Sequence, residues 1–159
     1  MRSILVDAGP LIALFDNDDT HHTAMKDLLR GSAGRLITTW PVVTETSHML
    51  DFDVRVQRDF YRCVAAGGVA MHDVPQDALE RIIELVEQYG DRPMDLADAT
   101  LVVAAETLGI REVVSIDRDF DIDRIDGRTG FENLYSSSGS CAALLLTSLL
   151  TSVLALASS

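Results

Sequence analysis

The chain of 159 residues is long enough for one domain with a sizeable core and too short for two ordinary domains. Apolar residues make up 47% of it, which argues against a disordered chain. A formal charge of −12 argues against a protein that holds a polyanion by broad phosphate neutralisation. The excess acid is therefore a solvated surface, part of a metal site or the counterpart of a basic protein.

The cysteines and the amino terminus indicate the compartment. Cys63 and Cys141 lie far apart without the spacing of metal ligands, which is typical of free thiols in a reducing compartment. The apolar run after Arg2 meets Asp7 at once, and no small-residue cleavage pattern follows. We therefore expect no signal peptide and a cytoplasmic location.

Hydrophobic patterning, glycines and prolines predict alternating strands and helices. In chain order, we expect a strand over 3–7, helices over 10–15 and 20–29, a strand over 35–39, a helix from about 41 that carries Glu45 and His48, a helix near 54–66, a strand over 69–74, helices over 75–89 and 96–108, and a strand over 112–116. Alternation of this kind predicts an α/β fold with a central, mainly parallel sheet of four to five strands sandwiched between helices.

Two helices carry local signals of their own. The helix over 75–89 is amphipathic, with one face made of Ala78, Ile82, Leu85, Val86 and Tyr89. The next helix has an aspartate, Asp95, where an N-terminal cap is expected, and a glycine, Gly109, where the helix should stop.

The composition changes sharply after Tyr135. Residues 136–140 read as a flexible Ser/Gly linker, and 141–157 are apolar with interspersed Ser and Thr. The segment is slightly short for a membrane span and lacks flanking basic anchors. It is a read-through or cloning scar, a helix that docks on the domain or a partner, or a tail anchor. We therefore predict one folded domain over 1–135 without a membrane segment, and a tail over 136–159 outside it.

Acidic residues occur where a parallel sheet forms its sites, beyond the carboxyl ends of the strands and near the point where strand order reverses. Asp7 and Asp117 each follow a predicted strand directly. Glu45 lies one to two turns into the helix after the second strand, and Asp98 lies in the first turn of its helix, three residues after Asp95. The sequence therefore predicts carboxylates that converge at one edge of the sheet.

Converging carboxylates cannot all stay ionised without a cation, because each raises the pKa of the others. A divalent metal removes that penalty, and oxygen ligands select magnesium or manganese over zinc. The metal would activate water and steady a phosphoryl oxygen, with one ion or two. A lone Asp after a strand is more often a helix cap than a metal ligand, and the capping role fits Asp95. Asp119 and Asp121 also fit as loop acids, so the residues alone leave both interpretations open.

Four stretches of the sequence resemble the PIN-domain nucleases. Within that family, the resemblance is to the VapC-like toxins of type II toxin–antitoxin pairs. The four stretches are ILVDAGPLIAL over 4–14, PVVTE over 41–45, MDLADATLV over 94–102 and SIDRDF over 115–120. Order and spacing agree across roughly residues 3–135. The resemblance implies a three-layer α/β/α domain, an endoribonuclease that needs Mg²⁺ or Mn²⁺, an RNA substrate, a cognate antitoxin protein and a homodimer.

The resemblance also implies a site, residue by residue. The family's acidic metal positions match Asp7, Glu45, Asp98 and Asp117, with Asp119 and Asp95 as additional acids. Ser115 matches a small hydroxyl position that supports the metal shell. One departure is Ala8-Gly9, where many relatives carry Ser or Thr, which questions a hydroxyl contact and not the metal site.

The mechanism implied is in-line hydrolysis of an RNA phosphodiester by metal-activated water. Asp7, Asp98 and Asp117 would be ligands, direct or through water, and Glu45 a ligand or the group that orients the water. The competing functions are a catalytically inactive PIN-like module that binds RNA or protein, and phosphotransfer through Asp7 as nucleophile. Trp40 either stacks on a base or anchors the start of its helix.

Overall fold

Strands and helices alternate through most of the chain, as expected. The computed structural model describes residues 1–90, 94–117, 124–125 and 129–135. The strands are β1 Ser3–Val6, β2 Arg35–Thr38, β3 Ala70–Met71, β4 Glu112–Val114, β5 Arg124–Ile125, β6 Thr129–Gly130 and β7 Glu132–Asn133. The helices are α1 Ala8–Phe15, α2 His22–Gly31, α3 Trp40–Met49, α4 Val54–Ala65, α5 Leu79–Gln88 and α6 Leu96–Leu108, with a 3-10 turn Gln76–Ala78 before α5.

The main sheet has five strands in the order β3-β2-β1-β4-β7, and every neighbouring pair is parallel. β5 and β6 form a small antiparallel pair of their own. The chain runs from β1 outward through β2 to β3 and then returns to place β4 on the other side of β1. Strand order therefore reverses between β1 and β4, which is where a parallel sheet opens a crevice. The predicted α/β fold, with helices flanking a parallel sheet, is confirmed.

The core is built around β1 and α6. Ile4, Leu5 and Val6 are fully buried, as the central strand of a covered parallel sheet requires. In α6, small and aliphatic side chains are buried on every side of the helix over 99–105, so its backbone packs closely within the fold. Arg81 of α5 donates to Glu106 of α6, with Nη2 2.7 Å from Oε1.

All four predicted strands are shorter than expected: β1 and β2 each lose their last residue, and the two later strands end early for one reason. The predicted strand over 69–74 is limited to Ala70–Met71, and the one over 112–116 to Glu112–Val114. Their partners β2 and β1 end at Thr38 and Val6, where the chain turns into α3 and α1. Beyond the end of its neighbour, a strand has no backbone groups left to pair with.

Helix boundaries also moved by a few residues. α2 begins at His22 instead of Thr20, because Asp19 first accepts a hydrogen bond from the His21 amide at 2.7 Å. On α5, Val86 was wrongly assigned to the buried face: it is 46% exposed, while Ile82 and Leu85 are buried. α6 ends as predicted at Gly109, which adopts the left-handed conformation at φ 65°.

The predicted tail over 136–159 lies outside the described residues, so the division at residue 135 stays a prediction. Within the described ranges, none of the helices has the length and apolar character needed to span a bilayer.

Candidate metal centre

Asp7 is the most constrained carboxylate of the predicted site. It follows β1 directly, and its side chain is the N-terminal cap of α1. Its Oδ1 accepts the Ala8 amide at 2.6 Å, and its Oδ2 accepts the Ser115 hydroxyl at 2.8 Å. The residue is only 7% exposed. Asp7 therefore has a fixed orientation at the crevice between β1 and β4.

A buried hydrogen-bond chain fixes Ser115 in turn. The side-chain amide of Asn133, on β7, accepts from the Ser115 amide at 3.3 Å and donates to its carbonyl at 3.1 Å. The Ser115 hydroxyl also accepts the Asp117 amide at 3.1 Å. The chain Asn133–Ser115–Asp7 therefore connects the edge strand of the sheet to the carboxylate at its centre.

The electrostatics of Asp7 are unfavourable for a bare carboxylate. Burial raises its pKa above the ordinary value of 3.8, and repulsion from Asp95 and Asp117 adds to the rise. The hydrogen bonds from Ser115 and Ala8 oppose it without reversing the direction. Asp7 makes no ion pair with a basic side chain in the described part of the chain. Its ionised form thus lacks a compensating cation.

Glu45 belongs to the same electrostatic group. It is an exposed residue on α3, and its pKa is raised by partial burial first and then by repulsion from Asp95 and Asp7. Asp95 raises the pKa of both Asp7 and Glu45, and Asp117 raises the pKa of Asp7. Asp7 and Glu45 therefore share one acidic neighbour, Asp95.

The start of α6 carries two acids, Asp95 and Asp98. Asp95 is the N-terminal cap, accepting the Asp98 amide at 2.9 Å, which confirms its predicted capping role. Asp98 lies partly buried in the first turn. A buried hydrogen bond of 2.8 Å between the hydroxyls of Thr39 and Thr100 joins the start of α3 to this part of α6. Thr39 stands at the cap position of α3, and its hydroxyl makes this bond in place of a capping bond.

One predicted site residue lies outside the described residues, and one residue beside the candidate site was not singled out by the sequence. Asp119 lies outside the described residues, as do the side chains of the nearby arginines 118, 124 and 128. Asn133 was missed because an asparagine near the end of a predicted domain carries no motif. The only signal would have been a fully buried amide on an edge strand, which requires tertiary information.

Three of the histidines make contacts away from the candidate site. The Nδ1 atom of His21 lies 2.7 Å from the Tyr135 hydroxyl, and that of His22 lies 2.7 Å from the Ala13 carbonyl oxygen. His48 pairs with Asp51 on the surface, with Nδ1 3.4 Å from Oδ2. None of these contacts directs a histidine toward Asp7.

The donor set fits a hard divalent cation. The available ligands are carboxylate oxygens and one serine hydroxyl, which suit magnesium or manganese. No three acidic, histidine or cysteine side chains among the described residues stand close enough to grip one ion directly. Mg²⁺ usually keeps several waters and takes only one or two protein carboxylates. Water-bridged binding is therefore the mode compatible with this arrangement.

Comparisons with known proteins agree with the fold. The PIN domain family matches residues 4–127. Ribonuclease VapC26 of Mycobacterium tuberculosis is 26% identical over 117 residues, covering 72% of this chain and 87% of that protein. The crystal structure of M. tuberculosis VapC20, described as a sarcin–ricin loop cleaving toxin, superposes with a TM-score of 0.69 at 24% identity, covering 75% of this chain and 93% of that one. The match spans most of the chain, and the chain belongs to the PIN domain family.

Proposed function

We propose that this protein is a divalent-metal-dependent endoribonuclease, the toxin component of a toxin–antitoxin pair. The observation that carries the proposal is the buried carboxylate of Asp7, which has a raised pKa, acidic neighbours and no basic partner among the described residues. A structural carboxylate in that position would be expected to pair with a lysine or arginine. The name of the relative VapC26 supports ribonuclease as the chemistry.

The cation would be held by carboxylate oxygens, directly or through water. Asp7, Asp98 and Asp117 are the proposed ligands, and Glu45 either joins them or orients the attacking water. Asp95 and Asp119 are the proposed additional acids. When bound, Mg²⁺ or Mn²⁺ supplies Lewis-acid stabilisation of a phosphoryl oxygen and lowers the pKa of a coordinated water.

The chain's own residues hold this arrangement rigid. The Ala8 amide and the Ser115 hydroxyl each occupy one oxygen of Asp7, so the carboxylate cannot rotate freely. The Asn133 amide fixes the backbone of Ser115 from the other side. Partners of this kind set the orientation and basicity of metal ligands in other proteins. The orientation of the Asp7 carboxylate would thus be set by neutral hydrogen-bonding groups.

The partners follow from the same assignment. We propose an RNA substrate, a cognate antitoxin protein that inhibits cleavage, a homodimer and a cytoplasmic location. The proposed catalytic domain covers 1–135, with the uncharged tail over 136–159 outside it.

A catalytically inactive PIN-like module that binds RNA or protein is the second candidate. The fold and the apolar core are equally compatible with it. The acidic set disfavours it, because a binding module has no need of a buried carboxylate that is repelled by its neighbours.

The test is RNA cleavage by the purified protein with mapped ends. Total RNA is incubated with Mg²⁺, with Mn²⁺ or with EDTA, and the variants Asp98→Asn and Glu45→Gln are assayed beside the wild type. We expect defined cleavage sites with either metal, none with EDTA, and a loss of at least about 100-fold in Asp98→Asn.

Matched controls separate the site from general acidity. Asp77→Asn and Glu87→Gln each remove one exposed carboxylate of the same type elsewhere. Both controls should cleave like the wild type. Full cleavage by a folded Asp98→Asn variant, or cleavage that persists in EDTA, would overturn the proposal.

A further inference from the structure

Trp40 is an exposed aromatic side chain at the start of α3. It is 55% exposed, although tryptophan is usually well buried. Its indole N–H has no hydrogen-bond partner within the described residues, and the predicted role as an anchor of the helix start does not explain this exposure. The α3 helix is held at this end by Thr39, through its hydrogen bond to Thr100. The indole ring is thus available for a contact outside the domain.

The register of the sheet places Trp40 beside the proposed catalytic centre. β1 pairs with β2 at Leu5↔Ile37, and the Thr38 hydroxyl donates to the Val6 carbonyl at 2.9 Å. Asp7 follows Val6 directly and Trp40 follows Thr38 by two residues, so both residues lie at the edge of the sheet where β1 and β2 end.

A second large apolar side chain lies at the same edge. Leu96 is the first residue of α6, directly after the cap Asp95, and is 54% exposed. Leu96 and Trp40 therefore occupy the first positions of two helices whose early turns carry the acids Asp98 and Glu45. The acids are accompanied by exposed apolar surface on both helices.

The chain's negative charge favours an RNA contact that does not depend on attraction to phosphate. A chain of net charge −12 gains little from attraction to a polyanion, and the acids at the site repel phosphate until a cation is present. Stacking of an unpaired base on an aromatic ring does not depend on net charge and tolerates any base. Such stacking requires single-stranded RNA, because the bases of a duplex are not free to leave the stack.

We propose that Trp40 is the base-stacking residue of the substrate site, holding a nucleotide of single-stranded RNA next to the phosphate to be cleaved. This inference rests on the proposed ribonuclease function. Trp40 positions substrate and takes no part in bond breaking.

Trp40 is the chain's only tryptophan, so its fluorescence reports on this position alone. The wild-type protein is titrated in Ca²⁺, a hard cation that carboxylate oxygens bind, with a single-stranded RNA oligonucleotide, and with a duplex of the same sequence as comparison. We expect saturable quenching by the single strand and little by the duplex. The quenching reports RNA binding whether or not the RNA is cleaved, so failure of the ribonuclease proposal leaves the measurement readable.

Variants then separate the ring from the apolar volume. Trp40→Phe keeps an aromatic face and Trp40→Leu does not; Phe52→Leu, at a residue 60% exposed beyond the other end of α3, is the matched control. By anisotropy of labelled RNA, Trp40→Leu should bind about 5- to 100-fold more weakly, Trp40→Phe near wild type, and Phe52→Leu unchanged. In the cleavage assay, Trp40→Leu should raise KM more than it lowers kcat.

Three results would overturn the inference. They are unchanged fluorescence at saturating single-stranded RNA, equal RNA affinity of Trp40→Leu and wild type, and a Trp40→Leu defect confined to binding of an antitoxin or of a second copy of the chain. Circular dichroism of each variant checks folding, which the exposed position of Trp40 should leave intact.

Discussion

Replacing Ser115 by alanine tests the hydrogen-bond chain that orients Asp7. The hydroxyl of this fully buried serine donates to Asp7 at 2.8 Å and accepts from the Asp117 amide at 3.1 Å. A hydrogen bond to a charged group contributes about 1.5–3 kcal/mol. The Asp117 amide adds little, since that residue is exposed and water can replace the serine. We therefore expect a loss of about 1.5–3 kcal/mol, which lowers Tm by about 3–12 °C in a domain of this size.

The loss should depend on pH in a defined direction. The Ser115 hydrogen bond lowers the pKa of Asp7 against the larger raising effect of burial. Its removal therefore raises that pKa further. The variant should be less stable than the wild type wherever Asp7 is ionised in the folded wild type, and the difference should shrink as the pH falls and both proteins protonate Asp7.

The assay is thermal unfolding followed by circular dichroism between pH 4 and pH 8 in EDTA. Ser32→Ala is the control, because it removes a partly buried serine hydrogen bond to a neutral carbonyl, at 3.2 Å from Leu29. The Ser32→Ala variant should lose less stability than Ser115→Ala, and its loss should be the same at every pH. With metal present, Ser115→Ala should also lose about 10- to 100-fold in metal affinity or activity. An unchanged Tm, or a loss that does not vary with pH, would refute the reasoning.

Three further outcomes follow from the same structure. Asp7→Asn should abolish cleavage yet melt at or above the wild-type Tm in EDTA at neutral pH. Because the pKa of Asp7 is raised in the folded wild type, ionisation of Asp7 lowers wild-type stability as the pH rises through that folded-state pKa. Melting curves should therefore show the variant's advantage in Tm vanishing as the pH falls toward 3.8. Asn133→Ala should cost about 2–4 kcal/mol by denaturant unfolding, since it strands the buried backbone groups of Ser115. In a Cys141→Ser background, the buried thiol of Cys63, whose pKa is raised to about 11, should react with a thiol reagent only on unfolding, and fast labelling of the native protein would contradict its burial.

The order of elements was predictable because its signals are local. The apolar run before Asp7, the proline early in α1 and the glycine after α6 each act within a few residues. Strand lengths were not predictable, because β3 and β4 end where their neighbours turn into helices. The exposure of Val86 likewise depends on what packs against α5 and not on the helix itself.

The candidate site was also predictable only in part. Acids at the ends of strands and starts of helices are visible in the sequence, since parallel topology brings those ends to one edge. The groups that orient them are not, because Asn133 reaches Ser115 across 18 residues and Ser115 reaches Asp7 across 108. Asp95 shows that the two interpretations of an acid can both hold. It caps α6 and also raises the pKa values of Asp7 and Glu45.

Calorimetric titration of the purified protein with Mn²⁺ bears most directly on the claim that these carboxylates need a cation. Wild-type protein should give a saturable isotherm and a Tm that rises with metal, whereas Asp7→Asn should give neither. An identical isotherm for Asp7→Asn, or no binding by the wild type at millimolar metal, would contradict the claim that a hard cation completes this cluster.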